Sequence, residues 1–117
     1  MGLTQTLPDL VGADVARELT FTGRTVEAGE ALELGLVTRI ADDPRGEALQ
    51  LAGEIAARSP DAVRAAKRLL NEAWRASAAE GLALEAELQQ TLLGSANQVA
   101  AVQAAVSGEP VEFGDPA

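Results

Sequence analysis

The sequence predicts a mainly α-helical fold, and three observations support this prediction. Alanine and leucine, which have high helix propensities, make up most of the 47% of residues that are hydrophobic. Helix start and stop signals recur at short intervals along the chain. Only one short run of residues is typical of a β-strand. We therefore expect several helices and at most one strand.

The first forty residues carry signals for three short helices and for the strand. We predict helices over residues 3–11, where Pro8 limits the start, over residues 14–20 and over residues 28–34. The strand is predicted from Leu36 to Ile40, a β-branched run. One strand cannot form a sheet, so it must pair with another chain, pair with a segment not present here, or lie as extended coil.

Two proline signals predict the next two helices. Asp43-Pro44 places a capping aspartate before a proline at the first helical position, and Ser59-Pro60 repeats the device. Residues at helical spacing predict one apolar face on each helix. These faces are Leu49, Ala52, Ile55 and Ala56 on the first helix, and Val63, Ala66, Leu70 and Ala73 on the second.

Two serines predict the last two helices. Ser77 with Glu80 and Ser95 with Gln98 have the spacing of a capping box, in which the two residues satisfy free amides at a helix start. The predicted apolar faces are Leu84, Leu88 and Leu92, ended by Gly94, and Val99, Val102 and Val106, ended by Gly108. Each apolar face is modest, so we expect marginal stability alone and a gain on association.

Composition excludes several classes of function. The net charge of −9 argues against nucleic acid as a partner, because phosphate binding needs a basic surface. The chain has no cysteine and no histidine, so it cannot form a disulfide, a thiolate nucleophile or a Ser–His triad, and no metal site is predicted. No leader or membrane-span pattern is present, so we expect a soluble, cytoplasmic protein.

Specific runs of residues resemble the enoyl-CoA hydratase/isomerase (crotonase) family. The resemblance covers nearly the whole chain, and its most specific part is a TGR motif followed about a dozen residues later by GLV. The matching runs are GLTQTLPDLVG at 2–12, ELTFTGR at 18–24, EA at 30–31, GLV at 35–37, SPDAV at 59–63, AAKRLLN at 65–71 and LE at 84–85.

The resemblance implies that the chain is the C-terminal helical part of a crotonase-like ββα spiral fold. Residues 1–43 would then end the core, residues 44–110 would form a helical oligomerisation region, and residues 111–117 would form a loose tail. The family's oxyanion-hole segments and catalytic glutamates match positions upstream of Met1. Loss of a single oxyanion donor lowers rates by about 10²–10³ in other enzymes. We therefore predict no catalytic residue in this chain and no activity alone.

The resemblance also implies a substrate and a partner. The substrate would be an acyl-CoA thioester of fatty acid metabolism, with coenzyme A as part of the substrate and no separate cofactor; the reaction would be syn addition of water to a 2-enoyl-CoA. The partner would be a chain that carries the N-terminal crotonase half, or intact crotonase subunits, in a trimer or hexamer. The alternatives are a non-catalytic interaction module, a remnant of a truncated gene, or a free-standing helical adaptor.

Site residues follow from the same resemblance. At the positions of the family's basic run, which lies near coenzyme A, the chain has Ser107-Gly108-Glu109, so that basic contact is missing. The helix that begins the chain corresponds to one near both the acyl site and the threefold contact of crotonases. The candidates are Gly2, Leu3 and Phe113 for substrate binding, and Thr4, Gln5, Leu7 and Leu10 for the oligomer interface.

Three further clusters have a functional and a structural interpretation, and we favour the structural one for each. The carboxylates Glu27, Glu30 and Glu33 could pair in a site, but a solvated helix face is the more common arrangement. Trp74 could be a ligand platform, but core or subunit packing is favoured. A basic group could bind a phosphate of coenzyme A, but an exposed face is favoured; its members are Arg64, Lys67, Arg68 and Arg75.

Overall fold

Seven α-helices and one 3-10 turn make up the secondary structure of residues 3–116, the part of the chain that this computed structural model describes. The 3-10 turn covers Leu3–Gln5. The helices, in chain order, are α1 Leu7–Val11, α2 Ala13–Thr22, α3 Ala28–Glu33, α4 Pro44–Ala56, α5 Pro60–Ala73, α6 Ala78–Leu92 and α7 Ala96–Ser107.

The mainly α fold class is confirmed, and residues 3–116 contain no β-strand. The run from Leu36 to Ile40 lies as irregular chain because no second strand within that range pairs with it. The amides of Leu36 and Val37 instead donate to the carbonyl of Ala31, at 2.8 and 3.3 Å, which closes the end of α3. Within residues 3–116 the run lies as coil, and its pairing with another chain or a further segment stays a prediction.

The chain divides into two compact units, Met1–Glu47 and Ala48–Ala117, and helix α4 begins in the first and continues in the second. In the first unit α1 packs against α2 across a single residue, Gly12. The backbone of Gly12 has φ 81° and ψ 158°, a region open almost only to glycine. This glycine reverses the chain direction, and Ala16 of α2 becomes 94% buried, with 6% of its surface exposed.

The end of α3 is set by a Schellman motif, a pair of hydrogen bonds that satisfies the last carbonyls of a helix. Gly35 has φ 80° and donates its amide to Leu32, while Leu36 donates to Ala31. A Cβ at Gly35 would lie 3.2 Å from the carbonyl oxygen of Leu10, so both the backbone angle and the space favour glycine. The GLV run thus ends a helix and passes close to α1.

In the second unit α5 and α6 form an antiparallel pair. Leu88 of α6 is buried, with 8% of its surface exposed, and Leu84 and Leu92 are half-buried on the same face, as predicted. The Ser77–Glu80 capping box is confirmed in both directions: the amide of Glu80 donates to Ser77 Oγ at 3.3 Å, and the amide of Ser77 donates to Glu80 Oε2 at 2.9 Å.

Two other predicted helix starts are formed as expected and one differs in detail. Ser59 Oγ accepts from the amide of Ala62 at 3.4 Å, and Asp43 Oδ1 accepts from Gly46 at 3.0 Å. Ser95 Oγ accepts from the amide of Gln98 at 3.2 Å. The Gln98 side chain, however, accepts from the amide of Gly94 at 3.3 Å, so only half of a capping box forms there.

Much of the apolar surface of residues 3–116 is exposed. Sixteen large hydrophobic side chains are at least 40% exposed, among them the predicted face of α7, Val99 at 45%, Val102 at 50% and Val106 at 85%. The accessible surface is 9127 Å². A folded monomer of 12.0 kDa exposes about 6,000 Å², and two separate domains of half that mass about 7,200 Å² together. No helix within residues 3–116 is long and apolar enough to cross a membrane.

Candidate functional site

One candidate site is an apolar groove in the first unit, where the 3-10 turn, α1 and α2 meet. The groove has a volume of about 540 Å³, which is within the size range of small-molecule sites. Its described lining residues are Leu3, Thr4, Leu7, Pro8, Ala13, Ala16, Arg17, Leu19, Thr20 and Phe21. Phe21 lies at the edge of the groove and is 81% exposed.

The groove suits an apolar group and offers no acid or base at neutral pH. Among its described lining residues, Arg17 is the only ionisable one, and its Nη1 donates to the carbonyl of Ala13 at 3.3 Å. The hydroxyl of Thr20 donates to the carbonyl of Ala16 at 2.7 Å. Because an arginine side chain has hydrogen-bond donors and no acceptor, the described lining provides no general base to activate the hydroxyl of Thr4 or Thr20 as a nucleophile.

The structure brings some of the predicted site residues together. Leu3, a substrate candidate, lines the groove with Thr4 and Leu7, two of the interface candidates. Gln5 and Leu10 are exposed, Leu10 by 53%, and do not line it. The remaining candidates lie elsewhere: Phe113 is half-buried in the second unit, and Gly2 is outside the described residues. The proposed roles of these residues stay predictions.

The TGR motif forms a clamp between α2 and α3, centred on Arg24. Gly23 ends α2 in the left-handed conformation, with φ 60°. The guanidinium then binds Glu30 through two bonds, Nη1 to Oε2 at 2.9 Å and Nη2 to Oε1 at 2.6 Å, and binds Glu18 through Nε at 2.7 Å. A fork of this kind requires the planar geometry of arginine. Glu30 therefore has a structural role as a partner of Arg24, which supports the structural interpretation favoured from the sequence, and its side chain stays 38% exposed.

The clamp also shifts the pKa values of Arg24 and Glu30. The hydrogen bonds from Arg24 lower the pKa of Glu30 below its usual value. In turn, the bonds to Glu30 and then to Glu18 raise the pKa of Arg24. Both shifts favour the charged forms, so the clamp holds a carboxylate ionised and does not prepare it for proton transfer.

We expect the Arg24→Lys variant to unfold more easily than the parent chain at pH 7, since lysine keeps the charge but loses the fork. A carboxylate whose folded pKa is depressed stabilises the fold above its unfolded pKa, and this contribution is lost as the pH falls through the folded pKa. The difference in the free energy of unfolding between Arg24→Lys and the parent chain should therefore shrink as the pH falls through the folded pKa of Glu30. Urea unfolding followed by circular dichroism, at pH 7 and at a series of progressively lower pH values, measures both.

Arg45→Lys is the matched control, because Arg45 is exposed and has no ion pair among the described residues. It should unfold like the parent chain at each of these pH values. If the difference in the free energy of unfolding between Arg24→Lys and the parent chain did not change with pH, the aliphatic part of the arginine side chain, and not its charged hydrogen bonds, would account for the stability.

The basic cluster of the second unit is partly neutralised by acidic neighbours. Arg68 pairs with Glu72 and with Glu87, each at 3.2 Å, and these bonds raise the pKa of Arg68, the bond to Glu87 most. Arg64 and Arg68 line a cavity of about 250 Å³ between α5 and α6, together with Asp61. The pairing of Arg68 supports the structural interpretation of this cluster over a phosphate site.

One buried polar residue was not predicted from the sequence. Asn97, with 5% of its surface exposed, hydrogen-bonds Asp61 and both backbone polar groups of Gly114. Its only signal in the sequence is its place in a helix-start motif, the second position after Ser95. That signal predicts a capped helix but not a contact with residues 36 and 17 positions away.

Comparison with known protein families and curated proteins gives consistent matches. The family model described as enoyl-CoA hydratase/isomerase matches residues 1–115. A short-chain-enoyl-CoA hydratase of Clostridium acetobutylicum is 30% identical over 113 residues, which cover 95% of this chain and 43% of that protein. The mitochondrial enoyl-CoA hydratase domain-containing protein 2 of Mus musculus is 40% identical over 90 residues, or 72% of this chain and 30% of that protein.

Comparison with solved structures gives the same kind of match. The crystal structure of an enoyl-CoA hydratase from Bacillus anthracis superposes with a TM-score of 0.89 at 31% identity, and covers 96% of this chain and 44% of that chain. An enoyl-CoA hydratase from Polaromonas sp. JS666 gives a TM-score of 0.87 at 29% identity. The chain spans less than half the length of these relatives and solved structures.

Proposed function

The chain belongs to the enoyl-CoA hydratase/isomerase family, and from this premise we propose that it works as the C-terminal helical part of such an enzyme. In this proposal the assembled enzyme acts on acyl-CoA thioesters of fatty acid metabolism. Coenzyme A enters as part of the substrate, and no separate cofactor is needed. The catalytic groups come from polypeptide outside these 117 residues, supplied by a partner that carries the N-terminal half.

The extent of the accessible surface, on which sixteen large hydrophobic side chains of residues 3–116 are exposed, is the observation that carries the proposed dependence on a partner. The accessible surface exceeds that expected even for two separate small domains by about 2,000 Å². A standard protein–protein interface covers about 800 Å² on each partner. The excess therefore leaves room for more than one interface, which supports association with a catalytic half and with further subunits in a trimer or hexamer.

The chemistry of the described residues supports the assignment of catalysis to the partner. The chain has no histidine and no cysteine. The two carboxylates with resolved pKa shifts, Glu30 and Glu80, both have a lowered pKa, which hydrogen bonds from Arg24 and from Ser77 respectively explain. A general acid that donates a proton near neutral pH needs a raised pKa instead. In this proposal the groove therefore contributes an apolar wall to the site and does not supply the proton of the reaction.

The proposal is tested by reconstitution. The full chain is purified alone and after co-expression with the N-terminal half of an enoyl-CoA hydratase, and hydration of crotonyl-CoA is followed by the loss of enoyl-thioester absorbance. We expect turnover only from the complex. Turnover by the chain alone, in material from a host that lacks its own crotonases, would contradict the proposal.

A charge introduced on α1 provides the matched comparison. Leu10→Asp places a carboxylate at an exposed leucine of the predicted interface and should abolish both the complex and its activity. Gln90→Asp makes the same kind of change at an exposed polar position of α6 and should preserve both. A complex that forms without hydration would support the alternative, a non-catalytic module that associates with crotonase subunits, and would overturn the catalytic role.

A further inference from the structure

Asn97 uses every polar atom of its side chain to join three parts of the second unit. Its Nδ2 donates to Asp61 Oδ2 at 2.8 Å and to the carbonyl oxygen of Gly114 at 3.2 Å. Its Oδ1 accepts from the amide of Gly114 at 2.9 Å. Asn97 has the lowest exposure, 5%, of the buried residues in the described chain. The starts of α5 and α7 and the chain at residue 114 therefore meet at one buried amide.

The two bonds with Gly114 resemble one rung of an antiparallel β-ladder. A side-chain amide offers the same donor and acceptor as a backbone peptide, so it can exchange both bonds with a single residue. Within residues 3–116, these are the hydrogen bonds that residues 110–116 make with the rest of the chain. Val111 and Phe113 are half-buried while Glu112 is exposed, which is the alternation of an extended segment.

We propose that residues 109–116 form a strap whose attachment is switched by the pairing of Asn97 with Gly114. When the pairing is broken, the strap leaves the second unit and carries Phe113 into solvent, while α5, α6 and α7 stay folded. The polar pairing is the main attachment in this proposal, because Val111, Phe113 and Pro116 are only half-buried. The acidic strap residues Glu109, Glu112 and Asp115 are exposed and gain nothing from burial.

The helices do not depend on the strap for their caps. Ser59 caps α5 through Ala62, and Ser95 caps α7 through Gln98, so both helix starts keep these bonds after release. The described lining of the cavity beside Leu88 comes from α5, α6 and Ser95 and includes no strap residue. The strap can therefore open as a local event, with a smaller free energy than unfolding of the unit.

The first test breaks the pairing at Asn97. Asn97→Asp is close to isosteric, removes both Nδ2 bonds and places a second carboxylate beside Asp61. Gln103→Asp makes the same chemical change at an exposed position of α7 and is the control. By amide hydrogen exchange on the full chain, we expect the amide of Gly114, which donates to Asn97 in the parent chain, to exchange at least about tenfold faster in Asn97→Asp, with the α5 and α6 amides unchanged.

The second test breaks the pairing at Gly114 and leaves the helices untouched. Gly114→Pro removes the amide that donates to Asn97, whereas Gly114→Ala keeps it, and an added Cβ would lie 3.8 Å from Asn97 Oδ1, an ordinary contact. Proline leaves no amide at position 114 to follow, so the readout is cleavage after the exposed Glu112 by a glutamate-specific protease. We expect faster cleavage there in the proline variant and the parental rate in the alanine variant.

Two results would overturn the proposal. Parental exchange of the Gly114 amide in Asn97→Asp, together with parental cleavage after Glu112 in Gly114→Pro, would mean that apolar packing holds the segment. Loss of α5 and α7 protection together with the strap would mean that Asn97 is a part of the helical core and not a switch. Neither readout involves a thioester, so it is independent of the proposed function.

Discussion

Replacement of Leu88 by alanine is expected to destabilise the second unit by about 2–5 kcal/mol, the range for truncation of a buried leucine. Leu88 is buried where α6 packs on α5, with 8% of its surface exposed. Few other described side chains are buried to this extent, so little packing remains to compensate. Because native proteins have only about 5–15 kcal/mol of stability, this loss should remove a large part of the free energy of unfolding.

The measurement is urea unfolding of the full chain followed by helical circular dichroism. Leu82→Ala is the control on the same helix, because Leu82 is 66% exposed; we expect a change within about 0.5 kcal/mol. Equal effects of the two substitutions would contradict the assignment of Leu88 to the core of the α5–α6 pair.

Gly12→Ala is expected to destabilise the first unit by about 1–3 kcal/mol, since Gly12 has a backbone conformation that an L-residue adopts only under strain. Its φ is 81° and its ψ is 158°, and an added Cβ would lie 3.2 Å from Asp14 Oδ1. The chain would relieve this strain by changing the angle between α1 and α2, which together form the apolar groove. The substitution should therefore lower the stability of the first unit and weaken the binding of any ligand or partner in the groove.

Hydrogen exchange of the α1 and α2 amides measures this effect directly. Gly29→Ala is the control in the same unit: Gly29 lies within α3, has no strained φ, and an added Cβ would meet no atom within 4 Å. Alanine favours a helix over glycine by about 1 kcal/mol, so this variant should be as stable as the parent chain or slightly more stable. An equal loss of amide protection in Gly12→Ala and Gly29→Ala would show that the effect at Gly12 does not come from its backbone conformation.

Local signals predicted the helices well because each signal acts over a few residues. The Ser59-Pro60 and Ser77–Glu80 starts and the glycine ends at Gly94 and Gly108 occur where the sequence indicated. Burial was harder to predict. The helical spacing of Val99 predicts an apolar face, but it does not say whether this chain or another covers that face, and here it is 45% exposed.

Contacts between distant residues were the part that could not be predicted. The clamp joins Arg24 to acidic residues six positions away on either side, across two helix ends whose geometry depends on Gly23 and the turn after it. The Asn97 bonds reach across 36 and 17 positions. The groove was predicted only in part: three of its lining residues, Leu3, Thr4 and Leu7, were named as candidates, but not the Phe21 edge.

The wide apolar surface of residues 3–116 has a consequence for the life of the polypeptide in a cell. Chaperones and proteases recognise exposed hydrophobic segments, so a copy that has not found its complement is held, degraded or lost to aggregation. Its abundance should then follow the supply of whatever covers it. Synthesis of the chain in excess of its partner would therefore increase its degradation and would not raise its concentration.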